Sequence, residues 1–291
     1  MVVNVMLPGA PPTGGRQPAA ASYTAPVEKI QIAPADYHLL TEAGWYAVDF
    51  GKFELNFYFR PSAAKKAYVI SPGFFKRADQ PHPYFQRIRM FSELDGIGIS
   101  MADPSLDLAD DIQIGWYLGS RWVDYTKTIA AYLEKLFAHF GIANHDALFF
   151  GSSGGGFVSL VLATHTRGAK VLAMNPQTEL LRFHDVRELS RVLEAGWLGV
   201  SNMSIQRDHA HRFSIAALFD SEQYIPHGII MVNTYDPWHI EHHIAPMIKE
   251  MVNKDIGKPG LQVRFFSSEA AGHNPLPVNH IIPVMLELNG A

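Results

Sequence analysis

The sequence has no cysteine among its 291 residues. That excludes disulfides, thiolate metal sites and a cysteine nucleophile, and it leaves the redox compartment unread. An excess of one charge is lacking too: 24 Lys and Arg stand against 28 Asp and Glu, a formal net charge of −4. A surface that tracks phosphates needs a basic excess, so nucleic acid is not expected as a partner. Long apolar runs are also missing. No stretch reaches the roughly 18 apolar residues that suggest a membrane span. The opening run Met1–Leu7 has no basic flank and stops at Pro8-Gly9, too short for a signal peptide. The expectation is a soluble, cytoplasmic protein with no membrane span, its oligomeric state open.

What is present is an ordinary globular balance, 47% apolar and 18% charged. The length suits one large α/β domain with an insertion. Residues 8–26 are rich in Pro, Gly and Ala with no hydrophobic period, so residues 1–35 read as an irregular N-terminal arm and 36–291 as the domain. Trp45–Phe50 and Phe53–Phe59 form a strand pair around Gly51-Lys52. Further short apolar runs follow at Ala67–Ile70, Ile97–Met101, Ala147–Phe150, Val171–Met174, Ile229–Val232 and Val263–Phe266. Such runs suit parallel strands covered on both faces. Ile129, Tyr132, Leu133, Leu136 and Phe137 fall on one helix face, with Gly141 as its stop. This alternation predicts a mostly parallel sheet with helices on both faces. Residues 177–227, after the sixth of these strands, break the rhythm. They read as a helical, cap-like insertion, a lid over the edge of the sheet where α/β proteins bind ligands.

The most specific feature lies at Gly151-Ser152-Ser153-Gly154-Gly155-Gly156, between the apolar strand Ala147–Phe150 and the helical pattern Phe157–Ala163. The frame G-x-S-x-G puts Ser153 at a strand-to-helix corner, where flanking glycines relieve a pinched backbone and a helix N-terminus faces developing negative charge. This corner is the nucleophile elbow of the α/β-hydrolase fold. Ser152 fits less well, because Phe150 stands where the first glycine would be needed. A phosphate-cradling loop competes, but no Lys-Ser/Thr follows and G-x-G-x-x-G is absent.

With Ser153 as nucleophile, the chain order serine, acid, histidine selects Asp236 and His273. Asp236 follows the strand Ile229–Asn233, and its competing reading is a turn-forming Asp-Pro pair. Glu241 and Asp208 are weaker substitutes. His273 follows the last strand beside Gly272, whereas His280 reads as part of the closing helix. The oxyanion donors are expected at Gly154 N–H and at Phe74 N–H in Ser71-Pro72-Gly73-Phe74-Phe75, with Phe75 as second choice. Lys76 and Arg77 follow, either a solvated rim or a site for an anionic group. Asn175 and Gln177 sit on the same sheet edge, lining the pocket or fixing the exit turn. The candidate substrate-binding set is Phe75, Lys76, Arg77, Ser152, Asn175, Gln177, Trp238 and His239. His239, His242 and His243 invite a metal reading, but their spacing matches no H-E-x-x-H frame. No metal or cofactor is expected.

Beyond the elbow, Ser71-Pro72-Gly73 with Arg77, Pro83–Arg87, Ala102-Asp103-Pro104, Gly115–Gly119, Phe150–Phe157 and Asn175–Thr178 occur in this order. The set resembles a bacterial branch of the α/β-hydrolase superfamily found near surface-glycan genes, similar in layout to accessory-secretion proteins implicated in glycan O-acetylation. The resemblance covers roughly residues 45–280. It implies the α/β-hydrolase fold, Ser153, Asp236 and His273 as a triad, and Phe74 and Gly154 as oxyanion donors. Ser71-Pro72-Gly73 departs from the His-Gly that many hydrolases carry there. The expected activity is carboxylic-ester hydrolysis through an acyl-serine, on a small ester or an acylated glycan. The alternatives are acyl transfer to a glycan by the same residues, and a non-catalytic binding scaffold.

Overall fold

Strand and helix alternate along the chain because short, fully apolar segments need cover on both faces. A computed structural model describes residues 3–4, 28–252, 254, 256 and 260–290. Its strands are β1 (Val3–Asn4), β2 (Lys29–Ile32), β3 (Gly44–Asp49), β4 (Glu54–Arg60), β5 (Ala67–Ser71), β6 (Ile97–Met101), β7 (Ala147–Ser152), β8 (Lys170–Met174), β9 (His227–Asn233) and β10 (Leu261–Phe266). Among the described residues they form one sheet in the order β1-β10-β9-β8-β7-β5-β6-β4-β3-β2. β4 runs antiparallel to β3 and β6, and the other pairings are parallel.

The helices are α1 (Tyr125–His139), α2 (Gly154–His165), α3 (Val186–Gly196), α4 (Asn202–Asp208), α5 (Ala210–Phe213), α6 (Ile215–Glu222), α7 (Pro237–His239), α8 (Ala245–Val252) and α9 (Val278–Asn289). Side chains alternate across a strand, so β7 feeds two cores. Ala147 and Phe149 join the core shared with α1 and α2, while Leu148 and Phe150 join the one shared with α9. His280 lies on α9, as its sequence position suggested.

The segment 177–227 begins with a short turn at Leu180–Arg182 and then contains α3 to α6. α6 packs against α2 and α8, so it serves as the β8-to-β9 crossover, while α3 packs on the turn Pro104–Leu108. Arg212 pins this segment: its guanidinium lies 4.4 Å from the Trp197 ring and donates to the carbonyls of Leu118, Ser120 and Val123. The irregular arm expected over residues 1–35 has no place for β2, which pairs in register Lys29↔Trp45 to Ile32↔Val48. Lys29-Ile30-Gln31-Ile32 alternates polar and apolar, but the run is only four residues long and only Ile32 is buried, Ile30 being exposed. Residues 5–27 of that arm lie outside the described residues. No helix among the described residues is long and apolar enough to cross a membrane.

Candidate active site

Ser153 sits between β7 and α2 at φ 55°, ψ −122°, a region that side chains disfavour. The neighbouring backbones force that conformation. A Cβ on Gly151 would lie 2.0 Å from the Gly155 carbonyl oxygen, and one on Gly155 would lie 2.3 Å from that of Ser71. Ser153 N–H donates to the Met174 carbonyl (2.9 Å), which ties the corner to β8. The glycine frame read from the sequence is thus a packing requirement.

Asp236 follows β9 and is buried. His273 Nδ1 lies 2.6 Å from its Oδ2, and His239 Nδ1 lies 3.1 Å from its Oδ1. Burial pushes the Asp236 carboxyl up, but the hydrogen bonds and charges of the two imidazoles outweigh burial and hold it well below the usual carboxylate range. The His239 and His273 rings stack with centroids 4.1 Å apart and planes at 21°. Burial lowers the His239 pKa and favours its neutral form, against the raising effect of Asp236. His243 follows at 4.9 Å from His239, one wide π-helical turn (Ile240–Ile244) along the chain. Its Nδ1 accepts from Thr178 N–H (3.3 Å), and burial lowers its pKa to about 3.

Two asparagines hold the His273 loop to the sheet. Asn233 ends β9 and donates to the carbonyls of Ser268 and Gly272, both at 2.7 Å. Asn175, just past β8, donates to the His273 carbonyl (3.1 Å) and accepts from Asn233 N–H (2.8 Å). Asn175 therefore fixes the exit turn rather than lining a pocket. Asn233 was missed in the sequence reading, although a polar residue ending an apolar strand is a readable signal.

The serine hydroxyl is held from a direction the sequence did not indicate. Among the described residues, Ser153 Oγ hydrogen-bonds with Gln177 Nε2 at 2.8 Å and makes no such bond with His273. Catalytic hydrogen bonds are often long without substrate and tighten when it binds. Trp116 Nε1 donates to Gln177 Oε1 at 3.1 Å. Trp116 and Tyr117 take left-handed φ values of 51° and 55°. Buried Asp103 cages this loop, accepting from the N–H groups of Ser105, Gly115 and Tyr117 at 2.9, 2.9 and 3.2 Å. Burial raises the Asp103 pKa to about 6 against those three donors.

The loop after β5 touches the elbow. A Cβ on Gly73 would lie 3.0 Å from the Ser152 carbonyl oxygen and 3.8 Å from Ser153 Cβ. Gly73 N–H donates to Gln86 Oε1 (3.3 Å) and Phe75 N–H to the Gln113 carbonyl (2.8 Å). That removes Phe75 as a second-choice oxyanion donor. Phe74 N–H has no partner among the described residues, and Gly154 N–H heads α2, where the first donors have no acceptor within the helix.

The rest of the substrate-binding set divides. Phe75 is buried and stacks on Tyr84 at 5.6 Å, so its ring is core. Arg77 is spent on the carbonyls of Leu106, Ala109 and Ile112, where it braces the Asp103 loop instead of meeting an anion. Lys76 pairs with Asp79 at 3.0 Å on the exposed rim. Ser152 Oγ accepts from Arg87 (2.9 Å), whose guanidinium lies 5.2 Å from the Phe150 ring on the α9 face of the sheet. His239 shares Asp236, and Gln177 meets Ser153 Oγ. Trp238 remains at the rim, 44% exposed, with its ring 3.8 Å from that of His242 and the planes tilted by 42°.

Asp236, His239 and His273 offer ligand atoms within 4.8 Å of one another, enough to hold a cation. The Nδ1 atom of each ring is engaged with Asp236 in the structure.

No family model matches the chain, and no curated protein sequence matches it. Solved structures do. The chain is similar to the capsule O-acetyltransferase of Neisseria meningitidis serogroup A, with TM-score 0.64 and 16% identity over 85% of this chain and 95% of that one. It is similar to an S-formylglutathione hydrolase from Agrobacterium tumefaciens, with TM-score 0.57 and 16% identity over 84% and 93%. Carboxyl esterase 2 from Tuber melanosporum gives TM-score 0.53 and 11% identity, over 86% of each chain. At these identities the likeness is one of fold, and the chain has the α/β-hydrolase fold.

Proposed function

We propose that the chain is a serine ester hydrolase, or an acyltransferase closely related to one, working through an acyl-Ser153 intermediate. The observation that carries the reading is Ser153 on its strained corner, with the N–H groups of Phe74 and Gly154 unpartnered among the described residues, while His273 is clamped on Asp236 at 2.6 Å. With Nδ1–H held by the carboxylate, His273 presents Nε2 as the base for the serine proton. Ser153 Oγ attacks the ester carbonyl, and the oxyanion forms on Phe74 and Gly154 N–H. The leaving alcohol takes the proton, and water then releases the acid.

Acyl transfer to a glycan hydroxyl is the second reading. Phe74 and Trp238 favour it: they are 47% and 44% exposed, one on the loop that carries an oxyanion donor and the other on α7 next to Asp236, and offer faces on which a sugar ring can stack. One structure of the capsule O-acetyltransferase is a complex with CoA, which makes a CoA thioester the first acyl donor to try.

A fluorophosphonate probe tests the reaction class. Labelling of the wild type and none of Ser153→Ala is expected. An unlabelled wild type, or equal labelling of both, overturns the serine mechanism and leaves the non-catalytic scaffold. Turnover of p-nitrophenyl acetate with and without glycan acceptors then separates hydrolysis from transfer.

A further inference from the structure

We infer that Gln177 is a catalytic residue whose amide helps break the bond between the acyl group and Ser153, so that it governs deacylation more than acylation. This rests on the acyl-serine reading above.

Gln177 is fully buried, at 0% exposure. An indole N–H only donates, so the 3.1 Å bond from Trp116 fixes which end of the Gln177 amide is oxygen. The NH₂ end therefore points at Ser153 Oγ, 2.8 Å away. The same nitrogen lies 3.4 Å from His239 Nε2, an acceptor because His239 Nδ1 donates to Asp236. Asp103 in turn fixes the loop that delivers Trp116. The amide is held at both ends, aimed at the protein oxygen that forms and then breaks the bond to the acyl group.

A hydroxyl oxygen accepts a hydrogen bond well. The bridging oxygen of an ester accepts poorly, because its lone pair is delocalised into the carbonyl. Acylation turns Ser153 Oγ from the first kind into the second and weakens the Gln177 bond. Deacylation reverses this. Water attacks the acyl carbon while His273 Nε2 takes its proton. The bond from that carbon to Oγ then breaks, its electron pair passes to Oγ, and Oγ takes the proton back from His273. The products are a carboxylic acid and the serine hydroxyl, and Gln177 neither gains nor loses a proton. Its hydrogen bond strengthens as charge returns to Oγ, in a buried site where such a donor acts strongly.

The test is pre-steady-state turnover of p-nitrophenyl acetate by wild type, Gln177→Met and Trp116→Phe, with the acyl-enzyme followed by intact mass. Fluorophosphonate labelling checks that each variant keeps a working nucleophile. For Gln177→Met, deacylation is expected to slow about tenfold, the upper range for one neutral hydrogen bond. Acylation changes by less than about twofold, so acyl-Ser153 accumulates after a burst. Trp116→Phe frees the amide to turn and gives the same pattern more weakly. Equal slowing of both steps, or wild-type deacylation in a variant that still labels, overturns the inference. If Gln177→Met fails to label, Trp116→Phe decides: accumulated acyl-enzyme supports the inference, and wild-type deacylation overturns it. A wild type that forms no acyl-serine is a separate result, and it sinks the underlying reading as well.

Discussion

The two walls of the site hold their residues by different physics. At the β7–α2 corner, backbone packs on backbone: Gly151 and Gly155 leave no room for a Cβ, and the Ser153 side chain caps nothing. Across from it, around the ends of β8, β9 and β10, side-chain hydrogen bonds carry the geometry through Asn175, Asn233, Asp236 and His239. The first wall should reject any added atom. The second should tolerate changes of volume but not the loss of a donor or acceptor.

The sharpest way to break this contrast is Gly155→Ala. Its methyl meets the Ser71 and Pro72 carbonyls, so a loss above about 3 kcal/mol, or no folded protein at all, is expected in denaturant unfolding. Near-wild-type stability would show that the corner can yield.

On the other wall, Asp236→Asn should cut turnover roughly 10⁴-fold while the fold survives. It also removes a pH dependence. A carboxylate held below its ordinary value adds stability above about pH 4 that is lost as pH falls further, so the variant's unfolding midpoint should be flatter in acid. Asn175→Ala frees the His273 carbonyl and should lower kcat about tenfold with little change in KM. An unchanged kcat would mean that Asn233 alone holds the loop.

The smallest effect belongs to His243. Its depressed pKa means that it adds stability above the unfolded value of about 6.5, lost progressively as pH falls toward about 3. His243→Gln should therefore narrow the gap between urea midpoints measured at pH 7 and pH 5. An unchanged gap would place the acid sensitivity elsewhere.

The contrast also explains what could be read from the sequence. Backbone crowding writes a local signature, so the glycines gave away Ser153, and short apolar runs gave away β5 to β10. Chain order then picked out Asp236 and His273, which the structure joins directly. A hydrogen-bond network leaves no such trace, because its partners are far apart in the chain. Trp116 and Gln177 are 61 positions apart, Asn175 and His273 are 98, and nothing at either end names the other. Arg77 shows the reverse error: a basic residue near a site suggests an anion, but its acceptors were backbone carbonyls, which sequence does not display.

The two imidazoles on one carboxylate have a mechanical consequence. His273 has a side chain 38% exposed, on a loop beside Gly272 at φ 52°, whereas Asp236 and His239 are deeply enclosed. If His273 tilts outward to admit a bulky acyl group, Asp236 does not follow, because His239 Nδ1, 3.1 Å from both carboxylate oxygens, still holds it. The carboxylate is then a fixed post and His273 a gate hung on it, returning to the same latch after each turnover.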